Sequence, residues 1–235
     1  QETISQQPLP SKLPKIKILH DDETSINFML PCSSKEMLHF TEHFKNDPER
    51  LVKNLATIFE ASELIYKIIN EDQLFKTITD LLFRVIECDR MIILIPNAEH
   101  DWFPHYMRRK QSPGKFYPLA VSQSIIKKVT QDQIGVAIKN TSLEKITSQS
   151  ESILMLGIRS AMCVPIKIKN TIVGLAYADI LFSDHFFDEF ELQLLVAIAN
   201  QASIAIENCR LHAELHEQDK VRNELKIAQD IQNNL

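Results

Sequence analysis

The spacing of apolar residues predicts two helices in the first half of the chain. Asp47 and Pro48 combine a helix cap with a first-turn proline, and apolar residues then recur every three or four positions to about Asn70. They form one stripe, which contains Leu51, Leu55, Ile58 or Phe59, Ala61 or Ser62, Ile65 and Ile69. A second helix is predicted from Asp72 to Val85; its apolar residues cover most of its circumference, so we expect it to be largely buried.

Short apolar runs bounded by turn residues predict six strands. In chain order they are KIKIL (15–19), SINFML (25–30), MIILI (91–95), GVAIK (135–139), SAMCVPIKIK (160–169) and TIVGLAYADI (171–180). A tight turn around Asn170 is expected to join the last two as a hairpin. Because Pro165 has no N–H to donate to a ladder, we expect it at a sheet edge or beside a bulge.

Three shorter helices and one irregular region complete the pattern. Capping signals and apolar spacing predict helices over 33–44, 122–129 and 148–157, the last one ending at a glycine. From 98 to 119 the periodicity dissolves into polar and aromatic residues that include Trp102, the single tryptophan. Long irregular connections inside compact domains often act as lids or binding loops, which is the prediction for this region.

The last part of the chain predicts one very long helix. A capping box at Asp188 and Glu191 is followed by no helix breaker before Leu235, which implies about 48 residues and a length of ~72 Å. One small domain cannot bury that length. The helical pattern is still unbroken at the last residue, so we expect the chain to be a control segment of a longer protein.

Beyond Arg210, this helix carries a stripe with coiled-coil spacing. Its apolar members are Leu211, Leu215, Val221, Leu225, Ala228, Ile231 and Leu235. With Gln218 as a polar core position, the mean step is about 3.4 residues, close to the 3.5 that keeps two helices in contact along a seam. We therefore expect a dimer seam with a second copy of the chain. The alternative is a long amphipathic helix packed on its own domain.

Composition and charge narrow the class of protein. The chain has 235 residues, is 44% hydrophobic and carries a formal net charge of −5, so it can bury a real core. It has no overall basic field to attract nucleic acid. The one basic run, Arg108 to Lys110, is short and is expected to lie in a solvated loop. We predict no nucleic-acid partner.

The cysteines and the absence of targeting signals indicate the compartment. Cys32, Cys88, Cys163 and Cys209 are too widely spaced for a zinc pair or a compact disulfide framework. No run approaches the ~18 to 20 apolar residues that span a bilayer, and no signal peptide is evident. The expectation is a cytoplasmic protein without a membrane partner.

Several of these segments together resemble a known family. LGIRSAMCVPIKIKNTIVGLAYADI, followed by FDEFELQLLVAIANQASIAIENCRL, is similar to the C-terminal half of a GAF domain. FEASELIYKIINEDQLFKTITDLLFRVIECDRMIILI resembles its opening helices and first strand, so the likeness covers about residues 55–212. The resemblance implies an α+β fold with a central antiparallel sheet flanked by helices, a small-molecule pocket and a homodimer, to which the spacing adds a long C-terminal coiled-coil helix.

The final residues resemble a second element. ELKIAQDIQNNL is similar to the linker that enters the PPM-type serine/threonine phosphatase domain of sporulation II E-like regulators. The expected organisation is an N-terminal linker or extension (1–46), a GAF domain with its flanking helices (47–210) and a coiled-coil signalling linker (211–235) toward a missing C-terminal effector. The resemblance implies catalytic Mg or Mn and a phosphoprotein substrate for that missing domain. Two alternatives stay open: a GAF regulatory segment of a histidine kinase or nucleotide cyclase, and a ligand-free structural dimerisation module.

Candidate chemistry within the chain itself is sparse. His39 and His43, and likewise His212 and His216, have the four-residue spacing of helical metal ligands. The glutamate of the zincin pattern is missing after His39, and the second pair is expected at the solvated surface. No phosphate loop or nucleophile elbow is present. We expect no catalytic residues, no metal site and no cofactor in this chain.

The ligand expected from the family is a cyclic nucleotide, a tetrapyrrole, haem or another small molecule. The cyclic-nucleotide signature requires Phe where Asp184 stands, and no cysteine has a bilin-attachment context. Cys163 is expected to be a core residue rather than a redox reporter. The candidates for lining a pocket, or for plugging it, are Trp102, Phe103, Tyr106, Arg108, Phe116 and Arg159.

Overall fold

The computed structural model of the chain describes residues 17–19, 26–32, 47–97, 101–110, 120–139, 158–181 and 185–233. Its strands are β1 (Lys17–Leu19), β2 (Ile26–Pro31), β3 (Arg90–Pro96), β4 (Trp102–Arg109), β5 (Ala120–Ser122), β6 (Ile134–Lys139), β7 (Ser160–Ile168) and β8 (Thr171–Ile180). Its helices are α1 (Pro48–Tyr66), α2 (Glu71–Val85), α3 (Gln123–Asp132) and α4 (Glu189–Asn233).

A six-stranded antiparallel sheet forms the centre of the fold. Its strand order is β2-β6-β7-β8-β3-β4, and β1 pairs separately with β5 in parallel. All six strands predicted from the sequence are present, and the predicted α+β fold with a central antiparallel sheet is confirmed. The first two strands fall within residues 1–46, so this extension supplies an edge strand, β2, to the main sheet.

The predicted hairpin of β7 and β8 is confirmed. Its ladder runs from Ser160 opposite Ile180 to Ile168 opposite Thr171, and the turn consists of Lys169 and Asn170. Lys169 adopts a positive φ of 55°, as a residue in so short a turn often does. A register shift follows Ile166, so Pro165 lies beside the predicted irregularity.

Each face of the sheet carries its own hydrophobic core. Helices α1, α2 and α4 cover one face, and their buried residues include Ile65, Leu74, Leu82 and Leu195. The short helix α3 covers the other face, where Val129 packs in the same cluster as residues of β6, β7 and β8. The helical layer is therefore concentrated on one face, and a small helix lies on the other.

The helix starts follow the capping rules. Asp47 accepts a hydrogen bond from Arg50 N at 3.0 Å, as predicted for α1. For α2 the predicted start at Asp72 is one residue late, because Asn70 is the cap and its side chain accepts from Gln73 N at 3.0 Å. Helix α1 ends at Tyr66 rather than near Asn70.

The irregular region predicted over 98–119 is wrong for eight of its residues. Strand β4 runs along β3 from Arg109 opposite Arg90 to Trp102 opposite Pro96. A register shift at Ile93 and Leu94 breaks the alternation of side chains, which explains why the sequence shows no period of two.

Two further predictions need correction, and some others cannot be compared with the structure. Arg108 does not lie in a solvated loop, because it belongs to β4 and its Nε donates to Asp80 Oδ1 of α2. Ser122 is a strand residue, and the helix after it begins at Gln123. The predicted helices over 33–44 and 148–157, and residues 111–119, lie outside the described residues.

The capping box that opens α4 is confirmed. Glu191 N donates to Asp188 Oδ1 at 3.0 Å, and Asp188 N donates to Glu191 Oε2 at 3.1 Å. His185 Nε2 lies 2.9 Å from Glu191 Oε1. The helix continues for 45 residues, or about 68 Å. None of the helices among the described residues has an apolar run suited to crossing a bilayer.

Helices α1 and α4 are parallel and are tied together at both ends. Near their N-termini, Arg50 Nη1 lies 2.6 Å from Asp188 Oδ2, and the guanidinium stacks 4.9 Å from the ring centre of Phe190. Just past the end of α1, Cys209 Sγ lies 3.4 Å from Ile68 O. These contacts fix α1 and α4 against each other within the helical layer on this face of the sheet.

Candidate functional site

The most distinctive feature of the fold is the point at which α4 leaves the body. Along residues 189–209 the inner side of the helix is buried, and Cys209 is the last buried residue described. From Arg210 to Lys226 every side chain is exposed. The helix therefore has a body half, residues 189–210, and a tail half, residues 211–233.

A small set of contacts holds the junction between the two halves. Arg210 donates to Glu71 at the start of α2, with Nη2 2.7 Å from Oε1 and Nε 3.2 Å from Oε2. This geometry is the two-pronged arrangement that suits a guanidinium and a carboxylate. Together with the contact of Cys209 to Ile68, it joins α4 to the segment between α1 and α2.

The predicted dimer seam lies on the tail half and faces solvent. Leu211, Leu215, Val221 and Leu225 are between 48 and 61% exposed, and Gln218 is exposed as well. Ala228 and Ile231 follow on the same helix, and Leu235 lies outside the described residues. Full burial of a large apolar side chain stabilises a protein by about 1.5–3 kcal/mol. Because these side chains are exposed, the single chain does not gain this stabilisation.

A cleft of about 490 Å³ opens beside the junction. Its lining includes Glu71, Asp72, Phe75, His105, Val173 and Arg210. The volume falls within the range of about 300–1,000 Å³ that small-molecule sites occupy. A molecule bound there would touch α2, the edge strand β4 and the last anchored turn of α4.

The charged groups of the cleft are arranged as two pairs. The first is Arg210 with Glu71, and the second is His105, whose Nε2 lies 3.0 Å from Asp72 Oδ1. The imidazole also meets the ring of Phe75 edge-on, with ring centres 5.0 Å apart. The described residues contain no group of three or more side chains that could hold a metal ion. A polar molecule in the cleft would lie beside both pairs.

The ligand candidates from the sequence do not come together on one face of the sheet. Trp102 packs against the core on the α3 face. Arg108 pairs with Asp80 on the α2 side, and Tyr106 lies near the same carboxylate; burial, followed by the charge of Asp80, raises the pKa of its hydroxyl. Phe103 pairs with Ile95 in the ladder of β3 and β4.

The fifth candidate that the structure describes is Arg159. Arg159 immediately precedes β7, and its backbone N donates to Ile180 O at 2.8 Å. Phe116 lies outside the described residues. The six residues thus remain a prediction for a pocket, and the described ones divide between at least two environments.

The α3 side of the sheet holds a buried ion pair. Arg90 Nε donates to Asp179 Oδ1 at 2.8 Å and to Oδ2 at 3.1 Å, and Nη2 also contacts Oδ2. Burial raises the pKa of the Asp179 carboxyl, whereas the facing guanidinium lowers it. The neighbouring Asp89 accepts from Leu181 N at 2.7 Å. These bonds fix the start of β3 to the end of β8, which indicates a structural role.

The cysteines lie in the core, and His212 and His216 lie at the surface. The four cysteines are buried and none of them forms a disulfide, and burial raises the pKa of the Cys163 thiol well above its ordinary value. A neutral thiol inside the core is a poor redox reporter. His212 and His216 are exposed on the tail half, whereas His39 and His43 lie outside the described residues.

The residues around the cleft were not predicted from the sequence as a site. Asp72 was predicted only as the start of a helix, which Glu71 directly precedes, and His105 fell within the region predicted to be irregular. Arg210 is separated from Glu71 by 139 positions. No local signal connects residues so far apart, although the end of the buried stripe of α4 marks the position of Arg210.

Comparison with known proteins agrees with this architecture. The GAF domain family model matches residues 70–206. The GAF domain from a phosphoenolpyruvate-protein phosphotransferase of Coxiella burnetii is 16% identical, with a TM-score of 0.53 over 68% of this chain and 96% of that chain. Bacteriophytochrome RpBphP3 of R. palustris is 13% identical, with a TM-score of 0.56 over 72% of this chain and 40% of that chain. No curated protein matches the sequence.

A third similar structure is a methyl-accepting chemotaxis protein, residues 122 to 287. It is 22% identical, with a TM-score of 0.50 over 64% of this chain and 97% of that chain. At these identities the likeness shows the fold alone. The ligands and partners of those proteins therefore do not transfer to this chain.

Proposed function

Because the chain belongs to the GAF domain family, we propose that it is the sensory and dimerisation segment of a cytoplasmic bacterial signalling protein, with α4 carrying the signal to a C-terminal effector. The observation that carries this proposal is the division of α4 at Arg210. A helix whose apolar residues are buried on one side of a joint and exposed beyond it is suited to pair with a second copy.

To transmit a signal, the GAF domain must favour one arrangement of the two paired tail halves over another. A ligand does this only if it binds one arrangement better than another, and each tenfold preference supplies about 1.4 kcal/mol. The cleft beside Arg210 is one place where binding would act on the junction directly. The pocket predicted around Trp102, Tyr106 and Arg159 is the other candidate for the unknown small molecule.

The dimer seam should allow more than one arrangement of the two helices. Gln218 interrupts it, because a polar side chain at a core position weakens the pairing of two helices. In the full protein, Gln218→Leu should change basal effector activity or its regulation, because it strengthens one register of the seam. Lys220→Leu, on the opposite side of the helix, is the matched control. Unchanged activity and regulation in the Gln218 variant would count against this mechanism.

The effector we propose is a PPM-type serine/threonine phosphatase. Support comes from the likeness of ELKIAQDIQNNL to the linker that enters such domains. That domain would hold Mg or Mn and act on a phosphoprotein. Determination of the ~40 residues encoded after Leu235 tests the proposal: an acidic metal-binding motif supports a phosphatase, whereas a phospho-acceptor histidine motif supports a kinase.

A ligand-free structural dimer is the second candidate function. It is favoured by the division of the predicted ligand residues between two environments. Thermal-shift measurements of this chain with nucleotides, haem and divalent metal ions separate the two candidates. A shift with any of these compounds supports a sensor, and the absence of any shift supports the structural dimer.

A further inference from the structure

The tail half carries two histidines on one side of the helix. His212 and His216 lie in the continuous helix α4, and both side chains are exposed. Residues four apart in a helix lie one above the other, with Cβ atoms about 5–6 Å apart. Two imidazole rings at that separation can each direct one nitrogen at a common point between them. Histidine pairs with this spacing bind metal ions on helices for that reason.

The two rings are available because the fold does not use them. The structure describes four histidines, and two of them, His105 and His185, are held by carboxylates at 3.0 and 2.9 Å. No hydrogen bond, ion pair or ring contact joins His212 or His216 to another described residue. Their ring nitrogens face water, so a ligand could bind them without breaking a contact of the described fold.

The charge of this part of the helix favours a cation. From Leu211 to Asp219 the sequence contains three carboxylates and neither lysine nor arginine; the other two carboxylates are those of Glu214 and Glu217. All three side chains are exposed, and Asp219 follows His216 on the same side of the helix. A local excess of negative charge raises the concentration of cations around it.

We propose that His212 and His216 together bind one divalent transition-metal ion of the class that prefers imidazole, such as Zn²⁺, Ni²⁺ or Cu²⁺. Each neutral ring would give one nitrogen, at the ~2.0–2.1 Å that is typical of zinc. The described side chains include no group of three or more metal ligands, so water would complete the coordination. The site is therefore an open chelate rather than a closed structural metal centre.

This inference goes beyond the proposed function and depends neither on the effector nor on pairing of the tails. Neighbouring helix positions are about 100° apart, so the histidine pair lies to one side of Leu211 and Leu215. The ion would stay accessible if those leucines met a second copy. It would join two successive turns just beyond Arg210, and would thereby stabilise the first turns of the tail half.

The test is isothermal titration calorimetry of the 235-residue chain with Zn²⁺. His212→Ala and His216→Ala should each weaken binding by about tenfold or more, and by similar factors, because the second bond of a chelate forms within one molecule. Mg²⁺ prefers oxygen ligands and should bind far more weakly than Zn²⁺. Circular dichroism should show that both variants fold like the wild-type chain, because both sites are exposed.

The matched control exchanges two residues of the tail half without changing composition or charge. His216→Ala combined with Ala213→His places the second ring next to His212 in the sequence, and adjacent residues of a helix do not face each other. The exchange should weaken zinc binding as much as His216→Ala alone. Hydrogen exchange is a second readout, since Zn²⁺ should slow exchange of the amides of residues 212–219 in the wild-type chain but not in the exchanged variant.

The outcomes separate this inference from the proposed function. Zinc binding of wild-type affinity in the single variants or in the exchanged variant would overturn the assignment. A metal-dependent thermal shift that persists in those variants would then come from another site and would still support the proposed sensor. Equal affinity for Mg²⁺ and Zn²⁺ would also overturn the assignment, because carboxylates rather than imidazoles would be binding the ion.

Discussion

The two halves of α4 have similar apolar residues but opposite surroundings. In the body half, Leu192, Leu195 and Ile206 are fully buried against the sheet and the neighbouring helices. In the tail half, Leu211 and Leu215 lie in solvent. Most helical stability in proteins comes from packing of an apolar face rather than from the helix itself. The body half is therefore stabilised by packing within one chain, whereas the described side chains of the tail half are exposed and gain no such stabilisation from the body.

The boundary between the halves depends on few contacts. The contacts described near it include Cys209 with Ile68 and two partly exposed ion pairs, Arg210 with Glu71 and Glu207 with Lys169. Regions with few buried contacts open more easily than a core. The junction is thus expected to open more easily than the buried body half.

The largest effect is expected in the body, at the buried pair of Arg90 and Asp179. Asp179→Ala removes the carboxylate that faces the buried Arg90 guanidinium and should lower the free energy of unfolding by about 3–5 kcal/mol. Urea denaturation measures it. Asp80→Ala, which breaks the more exposed pair with Arg108, should lower it by about 1 kcal/mol or less. Equal losses for the two variants would contradict the structural role of Asp179.

A direct comparison of the two halves uses the same substitution in each. Leu195→Ala should lower the free energy of unfolding by about 2–5 kcal/mol, because the site is fully buried. Leu215→Ala should change the stability of the body by less than about 0.5 kcal/mol, yet weaken self-association. Thermal unfolding and sedimentation measure the two quantities. A large loss of body stability in the Leu215 variant would show that the tail folds back on its own domain.

A smaller effect is expected where the body half begins. Asp188→Ala removes the cap of α4 and the partner of Arg50, and should lower the free energy of unfolding by about 0.5–2 kcal/mol. The control is Asp219→Ala, on the exposed tail half, which should leave the unfolding midpoint unchanged. If both variants unfold at the wild-type midpoint, the capping box does not stabilise the helix.

The smallest effect on stability is expected at the junction. Glu71→Gln weakens the pair with Arg210 and should lower the free energy of unfolding by about 0.2–1 kcal/mol, less at high salt. Hydrogen exchange should nevertheless accelerate at the amides just beyond Cys209. Asp72→Asn is the control, since Asp72 pairs with His105 and not with α4. Unchanged exchange in the Glu71 variant would mean that this pair does not hold the junction.

Local patterns were enough to predict the long helix and most of the sheet. The capping box at Asp188 and the uninterrupted helical spacing gave the start and the extent of α4, because both are short-range signals.

The stripe of α1 was predicted as a single set with Ile58 or Phe59 as alternatives. The structure shows that the two alternatives lie on different faces, and spacing alone cannot separate two adjacent apolar stripes.

The parts that were missed depend on long-range contacts. Strand β4 has Pro104 and a register shift, so its side chains do not alternate and its sequence resembles a loop. The cleft brings Glu71, His105 and Arg210 together from three distant elements. Neither periodicity nor motif spacing contains that information, because it arises only when β4 and α4 reach the same end of α2.

The length of the tail half turns a small rotation into a large displacement. Residues 211–233 extend about 35 Å beyond the last anchored turn. If this part of the helix tilts about Arg210 by only about 5°, its far end moves by about 3 Å. That displacement is comparable to the length of a hydrogen bond, enough to make or break contacts at the end of the helix while the body barely moves.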